Sequence, residues 1–516
     1  MPGYTGQRPP PFFNMARYCI GRSAAAVPDK TALVVVSDPD SVPERWTYRE
    51  IDGAVRRLGS GLRQLPLKPG DRVMIRMENT SDYALVFFGA IAAGLVPLPS
   101  SPQLSADEAR FLLEDSGAAA LVVSEELLLD HLPKGIKNLD SEAVTRLKEE
   151  SSPMAYADTP ADAPAFLIYT SGTSGNPKGV LHGQRSAWGR RPMYQGWYGI
   201  HSDDVVLHAG AFNWTYTLGV GLTDPWANAA TAVLYNGPRD VAVWPTLMER
   251  HRATLFATVP SLYRQILKYC RLEDYDLSSL RHGLTAGEAL PQSLSKRWSG
   301  VTGKALYEAL GMSECSTYIS CSSSVPVKPG SPGRPQPGRC VAILPIETGD
   351  SVMAPSETGL LAVHRSDPGL MLGYWNRPAE EALVYRNDWF VGGDLASLDE
   401  DGYVWFHGRN DDLMNAFGYR VSPEEVEKVL LQHPAVAEVG VTELPLQEDI
   451  RIIAAFVVPK NMDELDAAPI LSFAHRYLAD YKRPRELIFV EALPRTANGK
   501  VIRRHLARLW RSQAEA

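Results

Sequence analysis

The sequence predicts an α/β protein: a large N-terminal domain of α/β subdomains plus a β-rich subdomain, followed by a small α+β C-terminal domain. Three observations predict it. From residue 31 onward short β-branched runs alternate with longer amphipathic ones, the pattern of a largely parallel sheet with helical crossovers. At 516 residues and 45% hydrophobic content the chain can bury more than one core, about three domain-sized units by length. Beyond GRNDD, Gly408 to Asp412, about a hundred residues carry their own helix and strand patterns, close to a typical domain size.

Taken in order, TALVVV (31–36) reads as a strand, Tyr48 to Leu62 as an amphipathic helix and DRVMIRM (71–77) as a strand. Tyr83 to Val96 is apolar but short of the roughly 20 residues that span a bilayer. It contains Gly89 and Gly94, precedes Pro97 and Pro99, and so reads as a buried helix. AALVVS (119–124) follows, and residues 125–163 are a polar, Pro/Ala-rich connection. After the apolar run Ala165 to Ile168, the alternation resumes through DVVLHAG, TAVLYN, ATLFATV, RHGLTAGEA and GKALYEALG. No period of about 20 to 50 residues repeats, which excludes a solenoid. Residues 323–338 have a linker's composition but lead directly into strand-like segments, CVAILPI, GLLAVH, DWFVGGDLASL and GYVWFHG, with Asp401-Gly402 as a hairpin turn. In the small domain Ser422 reads as an N-cap, Pro423 as the first turn and Glu425 as the partner in a capping box. The chain therefore divides near Asp411, into residues 1–410 and 411–516.

A net charge of −8 and a pI near 5.8 give no general attraction to nucleic acid or an anionic membrane. A polyanionic ligand must then be held by local groups. Cys19, Cys270, Cys315, Cys321 and Cys340 show no CxxC spacing, which offers neither a disulfide framework nor a zinc site and suits a reducing cytosol. Cys315 beside Glu314 reads as a small buried residue, since nothing in the sequence identifies a base for it. The N-terminal MPGYTGQRPPPFF has Pro and Gly where an export signal needs an apolar core. The expectation is a cytoplasmic protein with no membrane span.

The chemistry is concentrated in YTSGTSGNPKG, Tyr169 to Gly179. Glycines let the backbone approach an anion, the hydroxyls of Thr170, Ser171, Thr173 and Ser174 can donate to phosphate oxygens, and Lys178 adds a mobile charge. It is not a Walker loop, because Pro177 precedes Lys178 and the hydroxyl residues come before the lysine rather than after it.

The full string resembles the phosphate loop of the adenylate-forming superfamily: acyl-CoA synthetases, peptide-synthetase adenylation domains and luciferases. GEAL (287–290), LGMSE, GGD, GRNDD, GYRVSPEEVE and NGK follow in that family's order, within residues 30–510. The resemblance implies ATP, Mg²⁺ and coenzyme A as the small-molecule partners. Thr170, Ser171, Gly172, Thr173, Ser174, Gly175 and Lys178 would hold the phosphates, and Gly287, Glu288, Ala289, Leu310, Gly311, Met312 and Ser313 would surround the nucleotide. Glu314, helped by the Thr170 hydroxyl, would bind Mg²⁺, while Asp394, directly after two glycines at what reads as a tight turn, would take the ribose with Arg409. Lys500 would contact the carboxylate and α-phosphate during adenylation, where a positioned cation stabilises developing charge. The small domain would then turn about Asp411, bringing Gly418, Tyr419 and Arg420 to the CoA tunnel. Two departures stand out: Leu310-Gly311 replaces the usual Tyr-Gly pair, so aromatic stacking on adenine is lost, and Asn415 stands where relatives often have Lys. Ser313 keeps the hydroxyl of the usual Thr.

Phe212 to Tyr235 is similar to the corresponding stretch of benzoate-type and other small-acid CoA ligases. That likeness makes Trp214, Thr215, Tyr216, Gly311, Thr317 and Tyr318 candidates for the acid pocket. The segment offers no Asp where amino-acid-activating relatives place one to pair the α-ammonium, so an uncharged aryl or short aliphatic acid is expected. With no carrier domain behind Lys500, free CoA is the expected acceptor. A carrier-loading adenylation enzyme and an ATP-binding regulatory protein are the alternatives, and a homodimer is left open.

Overall fold

The computed structural model describes residues 3–170, 177–238, 240–409, 414–416, 419–421, 423–447, 450–461, 466–494, 501, 503, 505–507 and 510. The chain forms two compact units. The first comprises Met1–Pro102, Leu113–Ile168 and Gly179–Gly408; the second comprises Gln103–Leu112, Tyr169–Lys178 and Arg409–Ala516.

The first unit is built on a nine-stranded sheet. Its parallel centre runs Ala305–Met312, His282–Ala286, Leu255–Thr258, Val205–His208, Thr231–Tyr235, Thr31–Val36, with antiparallel strands at both margins. A second, all-parallel sheet runs Val96–Pro99, Arg72–Arg76, Ala120–Val123, Lys137–Leu139. Helices Tyr48–Gln64 and Ser81–Ala92 share one core with Leu33 and Val35 of the large sheet and Val73 and Ile75 of the small one. Helix Tyr48–Gln64 starts where the sequence predicts because Thr47 and Glu50 form a capping box. The two helices pack closely at glycines: a Cβ on Gly89 would stand 2.9 Å from the Leu58 Cβ.

The structure corrects two readings here. The apolar run from Tyr83 to Val96 is not one helix. It ends at Ala92, Gly94 turns at φ +76°, and Val96–Pro99 is a strand. Its two prolines are tolerated because the strand lies at the sheet edge. The connection 125–163 also holds regular structure, strand Lys137–Leu139 and helix Ser141–Glu150, capped by the Asp140 side chain.

The β-rich part is a five-stranded sheet formed by Val341–Leu344, Gly359–His364, Trp389–Leu398, Tyr385–Arg386 and Val404–Arg409. Asp401-Gly402 is the hairpin turn, with Gly402 at φ +77°. Beside it Gly373–Tyr374 pairs antiparallel with Lys178–Gly183.

In the second unit, Val436–Gln447 and Ile450–Pro459 pair antiparallel, and Glu486–Phe489 joins parallel. Ile453, Ala455 and Val457 face a core with Val426 and Leu430 of helix Pro423–Leu430, whereas Ile452, Ala454 and Phe456 face Val490, Leu493 and Leu506. Both faces being covered explains the unbroken apolar run of that strand. Ser422 lies outside the described residues, and Glu425 accepts a hydrogen bond from the buried Lys482 ammonium at 2.7 Å.

Candidate active site

In the large sheet, Val205–His208 sits between the strand that follows it in sequence and Leu255–Thr258, from which succeeding strands run the other way. At such a reversal the connections leave on opposite sides and open a crevice beyond the carboxyl ends of the strands. The segment leaving Val205–His208 is the one that carries Trp214 and Tyr216. Tyr216 is buried and donates to the carbonyls of Thr258 at 3.2 Å and Leu284 at 3.4 Å, which fixes it to two neighbouring strands. Trp214 stands edge-on to it, ring centroids 5.2 Å apart. His208, both ring nitrogens buried, packs edge-on to Tyr216 at 4.6 Å, and burial pushes its imidazole down to about 3.

Trp214 also roofs Gly287. That residue has φ +91°, and a Cβ there would lie 2.7 Å from the indole, so only glycine fits. Gly287 and Ala289 are exposed, but Glu288 points elsewhere. Its carboxylate accepts from the Ser261 backbone N–H and hydroxyl at the start of helix Pro260–Tyr269, and so acts as a helix cap. Leu290 N–H donates to Glu308 at 3.0 Å, tying this loop to strand Ala305–Met312. Burial pushes the Glu308 carboxyl up to about 7.

Strand Ala305–Met312 ends in a bulged turn. A Cβ on Gly311 would meet the Ser316 carbonyl oxygen at 2.6 Å, and Ser316 turns at φ +64°. Glu314 sits in this turn, 8% exposed. Two contacts hold it: the Tyr374 hydroxyl donates to Glu314 Oε1 at 2.7 Å, and His182 Nε2 donates to the Ser313 carbonyl at 2.9 Å. His182 lies on strand Lys178–Gly183, and Tyr374 pairs with Val180 of that strand. Ser313-Glu314 is thus held by His182 of the strand that leaves the phosphate loop and by Tyr374 of the strand paired with it. Leu310 is half-buried against the β-rich core, in which Met312 and Tyr318 are buried, while the Thr317 hydroxyl meets the Met193 sulfur.

Asp394 is 1% exposed. The expected tight turn at GGD is instead the interior of strand Trp389–Leu398, bent by a bulge opposite Leu360–Ala362 with Gly393 at φ +84°. Bulges re-aim a side chain without ending the strand. Gly392 approaches closely: a Cβ there would lie 2.8 Å from the Met312 sulfur.

Thr170 closes strand Pro164–Thr170 and Lys178 opens Lys178–Gly183. Ser171, Gly172, Thr173, Ser174, Gly175, Asp411, Gly418 and Lys500 lie outside the described residues. Arg409 and Arg420 fall on strands, without described side chains. Tyr419 stacks on Tyr481, centroids 4.1 Å apart. Sequence reasoning missed Tyr374, His182 and Glu308. Only Glu308 left a signal, a carboxylate in an otherwise apolar strand.

Among the described residues no three His, Cys, Asp or Glu side chains could cage a metal, and no helix is long and apolar enough to cross a membrane. A single buried carboxylate fits Mg²⁺, which keeps water and takes substrate phosphate oxygens. Cys315 is buried and its thiol is pushed far up by burial, as expected of a packing residue.

Residues 20–375 match the AMP-binding enzyme family, and residues 425–500 match the AMP-binding enzyme C-terminal domain. The chain belongs to the AMP-binding enzyme family. Relatives within it include the benzoate–CoA ligase of Thauera aromatica, 32% identical over 96% of this chain and 95% of that one. An uncharacterised acyl–CoA ligase of Bacillus subtilis (strain 168) is 31% identical, with 93% of each chain covered. Among solved structures, o-succinylbenzoate CoA synthetase from Bacillus subtilis matches with TM-score 0.84 at 26% identity, covering 96% of this chain and 98% of that one. This AMP-binding enzyme is thus a mixed α/β protein with a large N-terminal and a small C-terminal domain, as its sequence predicts.

Proposed function

We propose that this AMP-binding enzyme is an acid–CoA ligase that acts on an aryl or short to medium aliphatic acid. In the first half-reaction the carboxylate attacks the α-phosphorus of ATP, forming acyl-AMP and releasing pyrophosphate. In the second the CoA thiolate attacks the acyl carbon, forming the thioester and releasing AMP. The observation that carries this reading is the pair of hydrogen bonds on Ser313-Glu314, from His182 of the strand leaving the phosphate loop and from Tyr374 of the strand paired with it. It fixes a carboxylate through residues of, and paired with, the strand that follows the phosphate-loop motif in the chain, and held positions of this kind are what catalysis of phosphoryl transfer requires.

In this reading residues 1–410 bind nucleotide and acid, and residues 411–516 form a mobile domain carrying Lys500. Glu314 and Thr170 would hold Mg²⁺, which supplies charge neutralisation on the phosphates. Ser171 to Gly175 and Lys178 hold the phosphates, and Gly287, Ala289 and Leu310 to Ser313 enclose the nucleotide. Glu288 acts through its helix cap and holds the Gly287 loop in place. Asp394 and Arg409 take the ribose, and Trp214, Thr215, Tyr216, Gly311, Thr317 and Tyr318 wall the acid. Asp411 is the hinge, and Gly418 to Arg420 serve the CoA side. A cytoplasmic location belongs to the same reading, and a homodimer is its suggested assembly.

The test is a pyrophosphate-release panel of carboxylic acids with and without CoA. Benzoate-like or short aliphatic acids should lead, with thioester appearing only with CoA. Best turnover with palmitate or an α-amino acid would sink the acid class. Adenylate that free CoA fails to consume, but a phosphopantetheinylated carrier protein does, would favour the carrier-loading alternative.

A further inference from the structure

Against helix Thr215–Leu218 lies a small cavity with room for about one water-sized group. One wall is Thr215, Leu218 and Gly219, from the segment assigned to the acid; another is Cys315 and Ser316, directly after Glu314. His182 and Ser186 complete it, 3% and 5% exposed. The Ser313 carbonyl can only accept, so His182 Nε2 carries the hydrogen and Nδ1 is a bare lone pair. Neither His182 Nδ1 nor Ser186 Oγ has a hydrogen-bond partner among the described residues. Buried polar atoms are rarely left so in native proteins.

Arg190, the charged group on this cavity, is already committed. It forks onto Asp224 at 2.8 and 2.7 Å and donates to the Ser316 hydroxyl. Burial and the neighbouring guanidinium groups keep His182 neutral, with its imidazole down to about 3. The cavity thus offers one bare acceptor, His182 Nδ1, and one unpartnered hydroxyl that can accept or donate, with the Arg190 charge neutralised by Asp224. It suits a neutral hydrogen-bond donor and disfavours an anion.

We propose that this cavity is the distal end of the acid pocket, and that it receives a hydroxyl or amino substituent of the acid, which donates to His182 Nδ1 and shares a hydrogen bond with Ser186 Oγ. The proposal rests on the acid–CoA ligase reading and narrows its substrate class to hydroxy- or amino-substituted acids. A site built to hydrogen-bond a substituent rejects analogues lacking it more strongly than an apolar pocket discriminates by size.

The test compares pyrophosphate release from benzoate, the ring-methylated benzoates and the hydroxy- and aminobenzoates. At least one hydroxy or amino isomer should exceed benzoate and its methyl counterpart at least ~10-fold in kcat/KM. Ser186→Ala should cut that preference ratio at least ~5-fold. Equal turnover, or a preference for the methyl acids, overturns the subsite and leaves the ligase reading intact; the wild-type panel decides this even if the variant fails to fold. An unchanged ratio in folded Ser186→Ala also overturns it, as does a crystal structure in which a water bridges His182 and Ser186 while the acid binds elsewhere. Absence of pyrophosphate with every acid overturns the ligase reading itself.

Discussion

The Tyr374 hydroxyl donates to Glu314 across 2.7 Å, although 60 residues separate the two in the chain. With the His182 contact to Ser313, it makes the position of one carboxylate depend on the strand that leaves the phosphate loop. Tyr374→Phe should lower kcat/KM for pyrophosphate release about tenfold, the effect of one hydrogen bond to a charged group, and raise the Mg²⁺ concentration needed for half-maximal rate. Conversion of supplied acyl-AMP by CoA should suffer less. Unchanged adenylation would mean that Glu314 is positioned without Tyr374.

Gly287 and Trp214 form a second dependence. Gly287→Ala introduces both a strained φ and a clash with the indole, so a stability loss of about 1 to 3 kcal/mol is expected, measured by denaturant unfolding. Trp214→Ala in the same chain should relieve the clash but not the strain. A double-mutant cycle should therefore show coupling of at least ~0.5 kcal/mol; strict additivity would place the whole cost in the backbone.

Glu308 predicts a pH dependence. Its folded carboxyl titrates near 7, above the ordinary 4.5, so the protonated form is favoured by folding. The stabilisation is complete below pH 4.5 and is lost as pH rises to about 7, up to about 3 kcal/mol. Glu308→Gln keeps an acceptor for the Leu290 N–H and removes the titration. The wild-type melting temperature should fall relative to that variant between pH 5 and 8. Parallel profiles would show that the carboxyl ionises normally.

Lys500, on the proposed mobile domain, should serve one half-reaction only. Lys500→Ala is expected to slow adenylation roughly a hundred- to a thousandfold, as removal of one electrostatic donor to a transition state does. Synthetic acyl-AMP with CoA should still react at close to the wild-type rate. Equal loss of both steps in a folded variant would remove Lys500 from this role.

The sequence by itself determined the fold class, the order of the elements and the family, because these depend on local information: apolar periodicity, turn residues, and short motifs such as YTSGTSGNPKG, GEAL and LGMSE whose spacing is kept along the chain. Strands such as His282–Ala286 and Trp389–Leu398, and the capped helix after Thr47, were legible for that reason. Tertiary structure alone decided that Asp394 sits on a bulged strand rather than a turn, that Glu288 caps a helix, and that Tyr374 and His182 hold Glu314 and Ser313. These are contacts between residues distant in sequence, set by strand register and by which buried polar groups find partners, and no local pattern encodes them.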